Sequence, residues 1–144
     1  MTNKVISLQG IANVGKSETV KKAYVMLKAK YPNATILREE IGRVDITVIL
    51  IIKNIKIGIE SQGDPNGRLV KESLERFVQK GCQIIICNTR TSGRTVDAVI
   101  ELQQKHKYEV VWLQQVKAEP SAQHSSNVEM AEKIIGEAEK IINA

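Results

Sequence analysis

The sequence predicts an α/β fold, a three-layer α/β/α sandwich with a mostly parallel sheet and an antiparallel hairpin strand. Strand-like apolar runs alternate along the chain with segments in which apolar residues recur every three or four positions, and this alternation is typical of βαβ units. The run "QIIICN" at 83–88 is almost continuously apolar, as expected of a strand that helices cover on both faces. A length of 144 residues fits one domain, which we expect to span 1–144.

The elements follow in order from these patterns. Strands are predicted at 4–9, 34–38, 45–52, 55–61, 83–88 and 109–114, and helices at 15–32, 67–81, 94–106 and 125–143. The first helix has Val20, Ala23 and Leu27 on one face, and Pro32 lies just beyond its end. The third and fourth strands are joined by Lys53-Asn54, which predicts a tight antiparallel hairpin.

The loops at the two ends of the predicted strands differ in composition. Those that follow strands are polar and mostly rich in glycine, at 10–17, 61–67, 88–94 and 115–126. Ligands bind beyond the carboxyl ends of the strands in open parallel sheets, so we expect the functional site at these loops. The last loop leads into the final helix, which Ser126 and Glu129 are expected to cap.

Residues 10–17, "GIANVGKS", match the pattern G-x-x-x-x-G-K-[ST] between a predicted strand and a predicted helix. The glycines allow the backbone to curl so that consecutive N–H groups point inward, and the positive end of the helix adds to them. Lys16 would reach the β- and γ-phosphates of a nucleotide, and Ser17 would bind Mg²⁺. The segment resembles the phosphate loop of the P-loop NTPase superfamily.

This resemblance implies a P-loop NTPase fold, Mg²⁺ as cofactor and ATP or GTP as ligand. The nucleotide would be bound by Gly10, Asn13, Val14, Gly15, Lys16, Ser17 and Glu18. Lys16 would also take part in catalysis, because its charge lies over the phosphates.

P-loop proteins have a second acidic group at the end of a neighbouring apolar strand, where it binds Mg²⁺ through water. Here "IKIGIESQGDPN" offers Glu60 and Asp64 as metal and catalytic candidates. The spacing from Glu60 to Gly63 resembles the D-x-x-G motif of Ras-like GTPases, which favours Glu60. Asp64 could instead cap the next helix. Gln62 is the candidate for positioning a water, although it precedes the glycine, whereas the corresponding Gln of these GTPases follows it.

The loop after the fifth strand bears on the choice of nucleobase. Asn88 to Thr91 occupies the place of the N-K-x-D motif that reads guanine in GTPases, but the Lys and the Asp are replaced by threonines. We therefore expect ATP or loose selectivity, and 115–126 either holds the base or is an ordinary surface loop. Arg90 and Arg94 are catalytic candidates, because guanidinium groups suit the spread negative charge of phosphoryl transfer. The alternative for both is a solvated surface.

Composition favours an anionic ligand. The net charge is +5, and residues 1–72 contain 12 Lys and Arg against 7 Asp and Glu. Nucleic-acid binding is not expected, because aromatic residues make up 3% and no basic block occurs. Cys82 and Cys87 are expected to be buried thiols. We expect a cytoplasmic protein, because no signal-peptide pattern or membrane-spanning run is found.

The expected function is a Mg²⁺-dependent NTPase with water as acceptor. One alternative is a small-molecule kinase, in which Arg38, Glu39, Glu40 and Arg43 after the second strand would bind the acceptor; a salt-bridged loop is the simpler reading of these four. A second alternative is a nucleotide-binding module without turnover. The sequence indicates neither a protein partner nor an oligomeric state.

Overall fold

The computed structural model describes residues 2–11, 14–42, 45–62 and 68–144, with side chains in the last range from Val70 onward. In these ranges the chain forms a six-stranded sheet and four helices. The strands are β1 (Lys4–Gln9), β2 (Thr35–Ile41), β3 (Ile46–Ile52), β4 (Ile55–Glu60), β5 (Ile84–Thr89) and β6 (Glu109–Gln114). The helices are α1 (Lys16–Lys30), α2 (Arg68–Gln79), α3 (Arg94–His106) and α4 (Gln123–Ile142), with a short 3-10 helix, Pro120–Ala122, before α4.

The sheet has the order β2-β3-β4-β5-β1-β6. β4, β5, β1 and β6 are parallel, and β3 runs antiparallel to both of its neighbours. The hairpin between β3 and β4 turns at Lys53 and Asn54, whose φ angles of 50° and 68° are typical of a two-residue turn that matches strand twist. The predicted mixed sheet with an antiparallel hairpin strand is confirmed.

The strand that carries Glu60 lies one strand away from β1, because β5 lies between β4 and β1. Every residue of β5 is buried, so this apolar strand occupies a central position with parallel partners on both sides. The carboxyl ends of β1, β4, β5 and β6 still meet at one edge of the sheet, which we call the carboxyl edge.

Helices pack on both faces of the sheet. On one face, α1 and α4 form a cluster with β-strand residues such as Ile6 and Ile59. On the other face, α2 and α3 pack around Phe77, Ile85 and other apolar residues. Burial of each large apolar side chain contributes about 1.5–3 kcal/mol, so these two clusters stabilise the sheet from both sides. Close packing is visible at Gly58, where an added Cβ would lie 2.5 Å from the Phe77 ring.

The structure corrects two further expectations. Ser126 and Glu129 do not form a capping box, because α4 begins at Gln123 and includes Ser126. β2 extends to Ile41, so Glu39 and Glu40 lie inside the strand rather than after it. Cys82 and Cys87 are free and buried, as expected. None of the helices in the described ranges has the length and apolar character needed to cross a membrane, and a cytoplasmic location stays a prediction.

Candidate functional site

The loop from β1 to α1 ends at Gly15, which has a φ of 95° and caps α1 at its N-terminus. The first backbone hydrogen bond of the helix runs from the Thr19 N–H to the Gly15 carbonyl. The preceding N–H groups, from Gly15 to Glu18, have no hydrogen-bond acceptor in the part of the chain that the structure describes. Unpaired N–H groups at a helix start carry partial positive charge, so this end of α1 favours an anion.

Lys16 is buried, with 8% of its surface exposed. Its Nζ donates to the Gly10 carbonyl and, at 3.0 Å, to the Thr89 carbonyl. Burial, with a smaller contribution from the charge of Arg90, lowers the pKa of Lys16 to about 8. Both of its contacts in the described residues are to neutral oxygens, and its charged neighbour is another cation.

Ser17 and Asn88 meet at the carbonyl of Ser61, the residue that follows β4. The Ser17 hydroxyl donates to this oxygen at 3.0 Å, and the Asn88 side-chain amide donates to it at 2.6 Å. The other polar atom of the Asn88 side chain, Oδ1, is buried and has no hydrogen-bond partner in the described residues. A buried acceptor without a donor is uncommon in native proteins, and it indicates a place for a water or a ligand.

Glu60 lies at the end of β4, but its carboxylate is directed toward β3 and α2. It accepts hydrogen bonds from the Thr47 hydroxyl at 3.0 and 3.1 Å and from the Ser73 hydroxyl at 2.5 Å. Only 2% of Glu60 is exposed, and burial raises the pKa of its carboxyl despite these hydrogen bonds. The structure therefore brings the Ser17 hydroxyl to the carbonyl after Glu60 and not to the Glu60 carboxylate.

The remaining predicted site residues have different surroundings. The half-buried Gln62 donates from its backbone N–H toward Glu60 at 3.5 Å. Glu18 is exposed and lies 3.6 Å from Lys21. Arg94 is exposed at the first position of α3. Val14 is buried, and the predicted residues Asn13, Gly63 and Asp64 lie outside the described residues.

The acceptor-binding interpretation of the residues in β2 does not fit the topology. Glu39 accepts from the Tyr24 hydroxyl and lies 3.4 Å from Lys28, and Arg38 pairs with Glu40 at 2.5 Å. β2 is an edge strand of the sheet, and three strands separate it from β1. These side chains therefore lie far from the segment that follows β1. Arg43 lies outside the described residues.

Sequence reasoning missed three side chains behind the phosphate-loop motif. Gln115 follows β6, whereas Gln123 and Asn127 lie in the first turns of α4, and all three lie against Val14 or Gly15. The only signal in the sequence was the position of 115–126 at the carboxyl edge. The two expectations for that segment were a contact with the base and an ordinary surface loop, whereas these contacts are to the phosphate-loop segment itself.

In the described ranges, no cluster of three or more His, Cys, Asp or Glu side chains is arranged to hold a metal ion. No protein-family model, curated protein or solved structure matches the chain. The geometry around Lys16 is therefore the feature that bears on function.

Proposed function

We propose that the chain is a P-loop nucleotide-binding protein that binds Mg²⁺–ATP or Mg²⁺–GTP and transfers the terminal phosphoryl group to water. The observation that carries the proposal is the buried Lys16 ammonium, which contacts carbonyl oxygens and has Arg90 as its charged neighbour. A buried cation is costly unless a negative charge compensates it. In the described residues no carboxylate does so, and a phosphate group would supply that charge.

The topology supports a P-loop fold with a nucleotide site at the carboxyl ends of β1 and β5. α1, which follows β1, packs on one face of the sheet, and α3, which follows the adjacent β5, packs on the other. The chain thus leaves two neighbouring parallel strands toward opposite faces, and a crevice opens between such strands at their carboxyl ends. The phosphate-loop motif and Arg90 follow these two strands.

The residues present also offer oxygens for a magnesium ion. Mg²⁺ prefers oxygen ligands and retains several of its waters. The Ser17 hydroxyl would bind the metal, and the unpaired Asn88 Oδ1 is a further acceptor beside the same Ser61 carbonyl. When bound, the ion would neutralise charge on the phosphate oxygens. Glu60 does not fit this role in its present arrangement, because two hydroxyls occupy its carboxylate.

Of the two arginines, Arg90 is the one that would stabilise the transition state, because its charge already acts on Lys16. A kinase has less support than a hydrolase, since the carboxylates of β2 that could bind an acceptor lie three strands from β1.

Calorimetric titration of the wild-type chain and Lys16→Ala with ATP and GTP, with and without Mg²⁺, tests the proposal. Loss of hydrogen bonds to a charged group corresponds to about 1.5–3 kcal/mol, so affinity should fall roughly 10- to 150-fold. Lys21→Ala is the matched control, because Lys21 lies in the same helix and pairs with the exposed Glu18. Equal affinity of wild type and Lys16→Ala would remove the assignment. Release of free phosphate distinguishes hydrolysis from binding alone.

A further inference from the structure

A closed ring of hydrogen bonds lies behind the phosphate-loop motif. The Gln115 side-chain amide donates to the Val14 carbonyl at 2.9 Å and to the Asn127 Oδ1 at 2.8 Å. The Gln123 side-chain amide donates to the same two oxygens, at 3.2 Å and 2.8 Å. Two amide groups and two acceptors thus satisfy one another, and Gln115 and Asn127 are buried.

The ring fixes the orientation of one peptide group. The carbonyl and the N–H of a trans peptide point in opposite directions. Because the Val14 carbonyl is directed toward Gln115 and Gln123, the N–H of Gly15 in the same peptide is directed away from them. This N–H is one of those without an acceptor in the described residues. An N–H in such an orientation is available to an anion in front of the loop.

The same side chains restrict the loop sterically. A Cβ added at Gly15 would lie 2.6 Å from both Asn127 Oδ1 and Gln123 Nε2, and one added at Gly10 would lie 2.5 Å from the Gln115 carbonyl. The Gln115 Oε1 also accepts from the Thr19 hydroxyl at 2.9 Å, which joins the ring to α1. A side chain at either glycine would therefore disturb this packing.

We propose that Gln115 and Gln123 are positioning residues for the anion site, which they prepare by holding the Val14–Gly15 peptide with its N–H toward the ligand. This inference rests on the proposed function, because the anion is taken to be the phosphate of the nucleotide. In this proposal the start of α4 contributes to phosphate binding through Gln123, although neither glutamine needs to contact the nucleotide.

Gln115→Glu tests the proposal with little change in shape. The carboxylate can still accept from Thr19, but it cannot donate to the Val14 carbonyl, which it repels. Gln114→Glu is the matched control, since Gln114 is exposed, precedes Gln115 and bonds the Gln9 side chain. We expect Gln115→Glu to bind ATP and inorganic pyrophosphate at least tenfold more weakly than Gln114→Glu does. The ligand-induced shift of the Gly15 amide in ¹⁵N–¹H spectra should also decrease in Gln115→Glu alone.

Gln123→Ala provides a second variant in case Gln115→Glu folds poorly, because Gln123 is only half-buried and Gln115 would remain to hold the carbonyl. It should give a smaller loss of affinity in the same direction and a smaller Gly15 shift. If Lys16→Ala weakens binding while Gln115→Glu and Gln123→Ala bind as wild type, the positioning role is refuted and the proposed function stands. If the wild-type chain binds none of ATP, GTP and pyrophosphate, both are refuted.

Discussion

Lys16 and Glu60 are both buried charged side chains at the carboxyl edge, but their surroundings differ. Glu60 accepts hydrogen bonds from Thr47 and Ser73, whereas Lys16 has two carbonyl oxygens and the charge of Arg90 beside it. Burial disfavours the charged form of each, and it raises the pKa of Glu60 and lowers that of Lys16.

The difference supports the proposed ligand site around Lys16. The hydroxyl groups around Glu60 join β3, β4 and α2, so the carboxylate has a structural role without any further partner. Around Lys16, the described residues supply positive charge and unpaired N–H groups but no compensating carboxylate. A buried charged group that has hydrogen-bond partners needs no ligand to account for it. A buried charged group without compensating partners is the one for which a ligand would supply the missing charge.

The largest expected effects come from the glycines beside these two residues. Gly15→Ala introduces a Cβ 2.6 Å from two side chains at a φ of 95°, where the left-handed conformation costs about 1–2 kcal/mol. Because Gly15 belongs to the proposed anion site, we expect nucleotide affinity to fall at least about 100-fold, equivalent to about 2.7 kcal/mol. Calorimetric titration of folded protein measures this loss.

Gly58→Ala is the matched variant in the Glu60 region, since its Cβ would lie 2.5 Å from the Phe77 ring. Overpacking of a core costs about 1–3 kcal/mol, so urea denaturation should detect a lower free energy of unfolding. The affinity of the remaining folded protein for ATP should stay within about threefold of wild type, less than 0.7 kcal/mol. A loss of affinity similar to that of Gly15→Ala would contradict the separation of the two regions.

A smaller effect is expected in the dependence of stability on pH. The pKa of Lys16 is about 8 in the folded protein and ordinarily 10.5, so between these values the unfolded chain binds more protons. The Lys16 contribution to the free energy of unfolding should therefore rise with pH across that window, by up to about 1.4 kcal/mol per pH unit. Lys16→Met lacks this contribution, so the free energy of unfolding of wild type minus that of Lys16→Met should rise with pH. Urea denaturation at several pH values from 7 to 10.5 measures it.

Other buried groups act in the opposite direction. Burial raises the pKa values of Cys82, Cys87 and Tyr108 to about 12 from ordinary values of 9 and 10, so these groups lower the free energy of unfolding as pH rises through the upper part of the window. Both proteins contain them, so the difference between the two pH profiles reports Lys16. Glu60 should act at lower pH with the opposite slope, because its raised pKa makes the folded state bind more protons above the ordinary value of 4.5. If the free energy of unfolding changed with pH in the same way in wild type and Lys16→Met, Lys16 would not be an uncompensated buried cation.

Much of the fold could be predicted because local pattern and final structure agree. The predicted bounds of β1, α3 and β6 match the structure. The spacing of apolar residues and the residues that interrupt helices or strands determine these bounds locally. The place of β5 between β1 and β4 depends instead on pairing between distant segments. The prediction of a capping box is wrong because α4 begins at Gln123, before Ser125 and Ser126.

The candidate site was predictable only where a motif is contiguous. Lys16 and Ser17 could be found because their chemistry is encoded within eight residues. The ring behind the loop could not, because Gln115 lies 101 residues from Val14 in the chain. The direction of the Glu60 carboxylate likewise depends on Thr47 and Ser73, which are each 13 residues away.

The smallest expected effects concern the acid that would assist the proposed Mg²⁺ ion. The sequence favours Glu60, but its two hydroxyl partners shift our expectation to Asp64, which lies outside the described residues. Glu60→Gln should change the Mg²⁺-dependent part of ATP affinity by less than about threefold, under 0.7 kcal/mol. Asp64→Asn should lower it roughly tenfold, as loss of one charged hydrogen bond predicts, and should keep its capping ability. Mg²⁺ titrations of both variants at fixed ATP compare the two.

The reverse result would have a specific structural meaning. If Glu60→Gln removed the Mg²⁺ dependence and Asp64→Asn did not, the Glu60 carboxylate would have to leave Ser73 when nucleotide binds. Ser73→Ala distinguishes that movement from a static role, because it removes the hydrogen bond that competes for the carboxylate. If Glu60 moves when nucleotide binds, the Ser73→Ala protein should have a higher affinity for Mg²⁺–ATP than wild type. If Glu60 is structural, Ser73→Ala should leave the affinity unchanged and lower the free energy of unfolding by about 1.5–3 kcal/mol, the contribution of a hydrogen bond to a charged group.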